Sequence, residues 1–409
     1  MYKIIIGIAI TLYFIFQLFI KILSYKSRNR EIPEELADVY DNNMYHKWMN
    51  YSSELIKLDI IETIISYIVL MCLLMSNIFS IFFGDFDNYT LSSLYVILMY
   101  VGVTSVFDIL FDYFKIMVIE EKYGFNKRTK KTFIGDEIKK IIISFALLIF
   151  MSMSFKVSYE NIGDYTLIVF TIVVFLFSLF ISFIYPYTSR INNKFVSLED
   201  GELRDSLTKL LKKYHYRVRD IKVMDASRRT TKLNAYFTGF GKSKTIVLFD
   251  NLLNKLSNEE IVAVFAHEMG HGIHKDTLKS SLMSIITMFI MALLAWLLIK
   301  YPVIYQDFGF DFVNYGLMII ILFNAIIPFV SVVIGIVKSY ISRRFEYRAD
   351  LVAAKEGYGE YLISGLKNLF RDNLGNLNPH PLIVILSYSH PTLLQRINAI
   401  RRYEGRNDG

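Results

Sequence analysis

Seven apolar stretches recur along the 409 residues: Ile4–Leu23, Ile60–Phe83, Leu91–Leu110, Ile141–Phe155, Tyr165–Tyr185, Leu278–Ile299 and Tyr315–Val337. A hydrocarbon layer about 30 Å thick is crossed by about 20 apolar residues of helix. Only helices and closed barrels satisfy their own backbone there. The expected architecture is therefore mainly α, a polytopic membrane protein with seven transmembrane helices. The first stretch lacks a small-x-small cleavage site, so it reads as a retained span and not as a secretory signal. Composition agrees: 54% of residues are hydrophobic and 15% aromatic, well above a soluble average.

Charge orients the spans. Lys26, Arg28, Arg30, Lys47 and Lys57 follow the first, and Lys115, Lys122, Lys127, Arg128, Lys130, Lys131, Lys139 and Lys140 follow the third. Segments after the fifth and seventh are also basic, whereas Gly84–Thr90 and Tyr301–Asn314 carry no Lys or Arg. This strict alternation is what the positive-inside rule predicts, with the amino terminus outside and the carboxyl terminus cytoplasmic. The net charge of +7 follows from these loops and needs no nucleic-acid partner, and the spans imply a lipid bilayer. Cys72 is the single cysteine, which excludes an intrachain disulfide and argues against a cysteine-based site.

The chain divides into 1–186, five spans with cytoplasmic loops; 187–277, a soluble segment; 278–338, spans six and seven; and 339–409, a cytoplasmic tail. An amphipathic helix is expected around Glu34–Leu55, and Gly124 should end the extension of span three through Asp108 and Asp112. In the soluble segment Asp200–His215 reads as a helix. Ile221–Met224, Asn234–Gly239 and Thr245–Phe249 read as strands, the last two joined through Gly239, Gly241, Lys242 and Ser243. Asn234-Ala235-Tyr236-Phe237 is a candidate edge strand, on which Asn234 and Ala235 would bind an extended substrate by β-augmentation.

The next segment carries the chemistry. Ser257 and Glu260 form a capping box ahead of Ile261-Val-Ala-Val-Phe-Ala-His267-Glu268-Met-Gly-His271. Residues four apart share a helical face, so His267 and His271 can offer two imidazoles to one metal ion. Glu268 lies about 100° around the helix, placed to act on water without ligating. Zinc catalysis takes three protein ligands and an open position. His274 shares the histidine face, but three residues after His271 it would strain a rigid helix as a third ligand. Glu346 is the better candidate. Glu346 and Asp350 are four apart, so one can ligate while the other fixes a ligand histidine. Spans six and seven go out and back, returning Glu346 to the side of His271.

These motifs resemble the integral-membrane, zinc-dependent CAAX prenyl proteases. The resemblance is carried by Glu120-Glu121-Lys-Tyr-Gly-Phe-Asn-Lys127, Asn193-Lys194-Phe195, Leu198-Glu-Asp-Gly-Glu-Leu203 and Asp225-Ala-Ser-Arg-Arg229. It continues through Asn234-Ala-Tyr-Phe237, Ile246-Val-Leu-Phe-Asp250, His-Glu-Met-Gly-His, Arg343-Arg-Phe-Glu-Tyr347 and Ser389-His-Pro391. It implies a zinc metalloendopeptidase hydrolysing CAAX-type or other membrane-associated protein substrates, prenylated or not. One Zn2+ per chain would be held by His267, His271 and Glu346, with Glu268 as general base and Asp350 behind a ligand. It further implies a ring of spans around an intramembrane chamber. His390 would be an oxyanion donor, and Arg396 would support the site or bind a substrate carboxylate. Read from the residues alone, His390 is only the start of a helix Thr392–Arg401. Two positions depart from the pattern: Gly272 lacks a bulky aromatic side chain, and Arg348 replaces a neutral polar residue. A looser resemblance to shorter stress-related membrane zinc proteases, and a non-catalytic zinc-tied transporter or scaffold, are the alternatives.

Overall fold

The computed structural model of the chain describes residues 1–238 and 245–407. Six helical stretches among them are long and apolar enough to cross a membrane: Tyr2–Ser27, Asn42–Met75, Tyr89–Glu120, Lys130–Ile184, Asp276–Lys300 and Tyr315–Lys355. The fourth consists of two helices, Lys130–Ile162 and Thr166–Asn192, broken at a 3-10 turn where Gly163 takes φ +55°. Ring pairs Phe155–Phe170 (centroids 4.9 Å apart) and Phe150–Phe177 (4.3 Å) step away from that turn on both sides. The two helices therefore lie antiparallel against one another.

The expected amphipathic helix at Glu34–Leu55 is not a separate element. A 3-10 turn occupies Glu34–Leu36, and a single helix runs from Asn42 to Met75, capped by Asp41 accepting from the Met44 N–H. No Gly or Pro lies between 42 and 75, so nothing stops the polar turns from continuing into the span. Its first turns join the core of the soluble part. Leu36, Trp48 and Tyr51 are buried in the same cluster as Leu207, Phe265, Leu362 and Leu393. Gly124, at φ +82°, does end the extension of span three, where the carbonyl of Glu120 accepts from the Phe125 N–H.

Between the helices of the membrane region, Gln17, Glu62, Tyr100, Thr104, Asp108 and Asn324 contribute to the lining of a cavity of about 490 Å³. Asp108 thus faces a polar space, whereas Asp112 pairs with Lys140 at 2.5 Å.

The soluble segment folds as a four-stranded sheet in the order β1 (Phe195–Ser197), β2 (Asp220–Met224), β4 (Thr245–Phe249), β3 (Ala235–Thr238). Strand β2 is parallel to β4, and β1 and β3 run antiparallel to their neighbours. The expected pairing of the second and third sequence strands is present as β3 on β4. Its turn residues Gly239, Gly241, Lys242 and Ser243 lie outside the described residues. Strand β1 escaped the sequence reading because three residues are too few to show alternation. Strand β3 forms an edge of the sheet.

The helix Asn258–Ile273 begins at the expected box: Ser257 Oγ accepts from the Glu260 N–H at 3.2 Å, and Glu260 Oε2 from the Ser257 N–H at 2.9 Å. Glu260 also accepts from Ser364 and Asn368 on the helix Gly359–Asp372, tying the two together. Ile261, Phe265 and Met269 bury its inner face. The helix Ile327–Lys355 crosses it at Gly270, where a Cβ would meet Ala349 Cα at 2.8 Å. Only glycine permits that approach. Gly270→Val should therefore lower the thermal midpoint of the detergent-solubilised chain, since overpacking of this kind costs about 1–3 kcal/mol. Gly102→Ala, with nothing within 4 Å of the added carbon, should not lower it.

Candidate active site

That crossing decides what the two helices can bring together. His267 turns Nε2 toward Glu346 Oε2 at 3.5 Å, and His271 turns Nε2 toward Glu346 Oε1 at 3.3 Å. The three potential ligand atoms all lie within 4.8 Å of one another. A tetrahedral ion with bonds of about 2.0–2.1 Å has ligand atoms about 3.3–3.4 Å apart, so the spacing fits a zinc-sized centre. Glu346 Oε2 is buried and meets no hydrogen bond of good geometry, although His390 Nδ1 stands 3.0 Å away. A buried carboxylate oxygen without a hydrogen-bond partner, set among imidazole nitrogens, is a donor suited to a cation.

Behind each imidazole stands a carboxylate. His267 Nδ1 lies 2.9 Å from Asp350 Oδ1, and His271 Nδ1 lies 3.1 Å from Asp276 Oδ2. Both contacts favour the tautomer that leaves Nε2 free as a donor to metal. Asp350 is in turn clamped by Arg396, through Nε at 2.9 Å and Nη2 at 2.5 Å. Asp276 is held by Arg348 Nη2 at 2.7 Å. The departure at 348 thus has a structural role. The departure at 272 has one as well: the space beside Gly272 is taken by the ring and hydroxyl of Tyr216, an aromatic side chain delivered from another segment.

Electrostatics follow from the enclosure. Burial pushes the Glu268 carboxyl above the usual carboxylate range, against the pull of His267 and His271. For His271, burial alone would lower the pKa, but Glu346, Glu268 and Asp276 outweigh it and raise it to about 9. Metal must therefore displace a proton there. Burial also opposes the charge on Arg396, and Asp350 overcomes it, holding the guanidinium above its ordinary value.

The sequence-predicted residues fall as follows. His267, His271, Glu346 and Asp350 converge, and His390 reaches Glu346 from the loop ahead of the helix Leu393–Asn407, its side chain 64% exposed. His274 does not join the ligand cluster; its Nδ1 lies 2.8 Å from the Gly270 carbonyl at the end of its own helix. Arg396 is buried, and its guanidinium is engaged with Asp350. Asn234 is exposed just before the edge strand β3, and Ala235 opens it. Asp276 was missed. It sits five residues after His271, and the left-handed turn at Lys275 (φ +56°) brings it back beneath the imidazole.

Residues 197–404 match the model of peptidase family M48, and residues 21–189 match a CAAX prenyl protease N-terminal domain with five membrane helices. The chain belongs to peptidase family M48. Its M48 relatives include CAAX prenyl protease 1 of Saccharomyces cerevisiae, 30% identical over 92% of this chain and 89% of that protein. The Arabidopsis thaliana CAAX prenyl protease 1 homolog is 35% identical over 78% and 75%. The crystal structure of S. mikatae Ste24p superposes with a TM-score of 0.90 at 28% identity, covering 98% of this chain and 99% of that one. This M48 chain is a membrane-embedded metalloprotease.

Four variants test the geometry. Glu346→Ala should remove most bound metal, and Asp350→Ala or Asp276→Ala should each weaken metal affinity about 10- to 100-fold. His274→Ala should leave it unchanged. Metal content after equilibration against a graded chelator measures all four.

Proposed function

We propose that His267, His271 and Glu346 hold one zinc ion and that the site hydrolyses peptide bonds in CAAX-type or other membrane-associated protein substrates. The observation that carries this is the spacing of two Nε2 atoms and one carboxylate at 3.3–3.5 Å, a three-ligand set. A structural zinc site closes with four protein ligands, whereas this cluster offers three among the described residues. The names of the relatives support the substrate class.

Zinc, when bound, supplies a charge that polarises a carbonyl and acidifies water. The chain's own residues do the rest. Glu268, made more basic by burial, takes the proton from the attacking water and returns it to the leaving amine. His390, beside Glu346 and open to solvent, donates to the oxygen that gains charge. Arg396 and Asp350 keep His267 in register, as Arg348 and Asp276 keep His271. The free edge of β3 at Asn234 and Ala235 pairs with an extended substrate backbone.

The same reading gives seven transmembrane helices, counting the two halves of Lys130–Ile184 separately, with the amino terminus outside and the site cytoplasmic. The alternation of basic loops supports it.

Glu268→Gln should keep near-stoichiometric zinc while hydrolysis of an unfolded or CAAX-type peptide falls about 10²- to 10⁴-fold. Metal analysis and peptide cleavage on one purified sample decide the matter, and full activity in the Gln variant would overturn the assignment. His390→Ala should retain zinc and lose about 10²- to 10³-fold in kcat. For orientation, cysteines at Asn88 and Gln306 should react with an impermeant maleimide on intact cells, and one at Asp200 should not.

A further inference from the structure

Which backbone groups of β3 are open to a substrate follows from its register on β4. Opposed residues of an antiparallel pair alternate between bonded and non-bonded positions, and the non-bonded ones turn their N–H and C=O away from the partner. The Asn234 carbonyl accepts from the Phe249 N–H at 3.2 Å, so Asn234 opposite Phe249 and Tyr236 opposite Val247 are the bonded positions. Ala235 and Phe237 therefore aim their backbone groups at the open side. Of the two residues named above for substrate, Ala235 offers the backbone and the exposed Asn234 covers it, its Oδ1 accepting from the Ala235 N–H at 3.0 Å.

Two residues back along the chain, the same edge is already filled. The Leu233 N–H donates to Asn373 Oδ1 at 3.1 Å, and Asn373 Nδ2 donates to the Leu233 carbonyl at 3.3 Å. With both bonds in place, the side-chain amide imitates one residue of a neighbouring strand. Further back, the Lys127 N–H donates to the Arg229 carbonyl at 3.1 Å and the Thr231 N–H to the Phe125 carbonyl at 3.3 Å, around an antiparallel bridge of Asn126 with Thr230. Arg229, Thr231 and Leu233 are thus covered in turn, and Ala235 is the first of this alternating series to face no second chain segment among the described residues.

Both covers are braced. Lys232 joins Glu120 at 2.7 Å and lies over the Phe125 ring at 4.9 Å, and the buried Asn126 donates to Glu121 and to the Arg128 carbonyl. The block Glu120–Lys127 thereby has a place beside the substrate edge. Asn373 ends the helix Gly359–Asp372, and the next residue, Leu374, takes a left-handed conformation at φ +50° that side chains rarely adopt. The Tyr40 hydroxyl holds that turn between the carbonyls of Phe370 and Gly375, at 3.1 and 2.7 Å. Backbone strain of this kind clusters at ligand clamps.

We infer that Asn373 is a stop for the bound substrate: it fills the edge at Leu233, so that the substrate strand pairs with Ala235 and Phe237 and leaves the sheet there. The inference rests on the β3 pairing proposed above and adds the residue that fixes where the pairing ends. Two outward residues grip a substrate stretch of about three residues, about 10 Å long. The stop also shortens an edge that would otherwise template pairing with any extended chain.

The test uses the full-length chain in detergent, carrying Glu268→Gln to prevent turnover, and one CAAX-type peptide with each backbone nitrogen methylated in turn. Methylation removes the N–H that an outward edge carbonyl accepts, so each paired position should lose about 3- to 10-fold in affinity, the size of one hydrogen bond. Two such positions, two residues apart, are expected. Asn373→Ala frees the Leu233 groups, and a third sensitive position should appear two residues further along. Asn373→Asp, nearly the same shape, still accepts from the Leu233 N–H but releases its carbonyl; it should show the same third position with its thermal midpoint retained. A merely structural role for Asn373 would weaken every peptide evenly. An unmoved pattern in Asn373→Asp overturns the inference and leaves the β3 pairing standing. If no methylated position loses affinity while Asn373 is present, the pairing itself is wrong, and the stop with it.

Discussion

The contact between Gly270 and Ala349 is what the rest of the site depends on. A histidine pair at i and i+4 fixes two donors, but the third comes from a helix 75 residues later and has to approach without a spacer. The missing Cβ at 270 lets the Glu346 helix lie almost backbone to backbone on the His267 helix. Van der Waals contact at that point sets the depth to which Glu346 reaches, and hence the 3.3 Å and 3.5 Å separations that a small cation requires. The capping box at Ser257 and the ties of Glu260 to Ser364 and Asn368 hold the other end of the first helix.

Around this crossing the charges are arranged in two parallel chains, Arg396–Asp350–His267 and Arg348–Asp276–His271. Each buried carboxylate is paired with a guanidinium on one side and an imidazole on the other. Unpaired, such groups in a low-dielectric interior would cost several kcal/mol each. Paired, they fix ring orientation, which a two-residue motif on its own does not. The sheet plays a different part, presenting β3 as an open edge beside the helix that carries the chemistry.

Much of this was legible in the sequence because its signals are local or topological. Helical spacing marked His267, Glu268 and His271, and the out-and-back path of the last spans pointed to Glu346 and Asp350. The three longer strands and the capping box were equally visible. What stayed hidden depends on conformation at single residues or on distant packing. Asp276 reaches His271 only because Lys275, not a glycine, adopts a left-handed turn. Arg348 was noticed as a departure, yet its role cannot be seen until Asp276 is in place. The aromatic absent at 272 is supplied by Tyr216, more than fifty residues earlier in the chain. Trp48 and Tyr51 lie in the stretch expected to be an amphipathic linker helix, and nothing in the sequence marks them as part of the core that carries Phe265.

The hairpin formed by Asp276–Lys300 and Tyr315–Lys355 interrupts the metal site in sequence. A chain synthesised as far as His271 owns two imidazoles and no third donor. Asp276, which steadies the second imidazole, is itself the first turn of the hairpin. Assembly order is thereby written into the topology: the proposed three-ligand set is complete only when the second helix of the hairpin has packed back on the first. A nascent chain that ends at His271 holds two of the three donors and lacks the helix that brings the last.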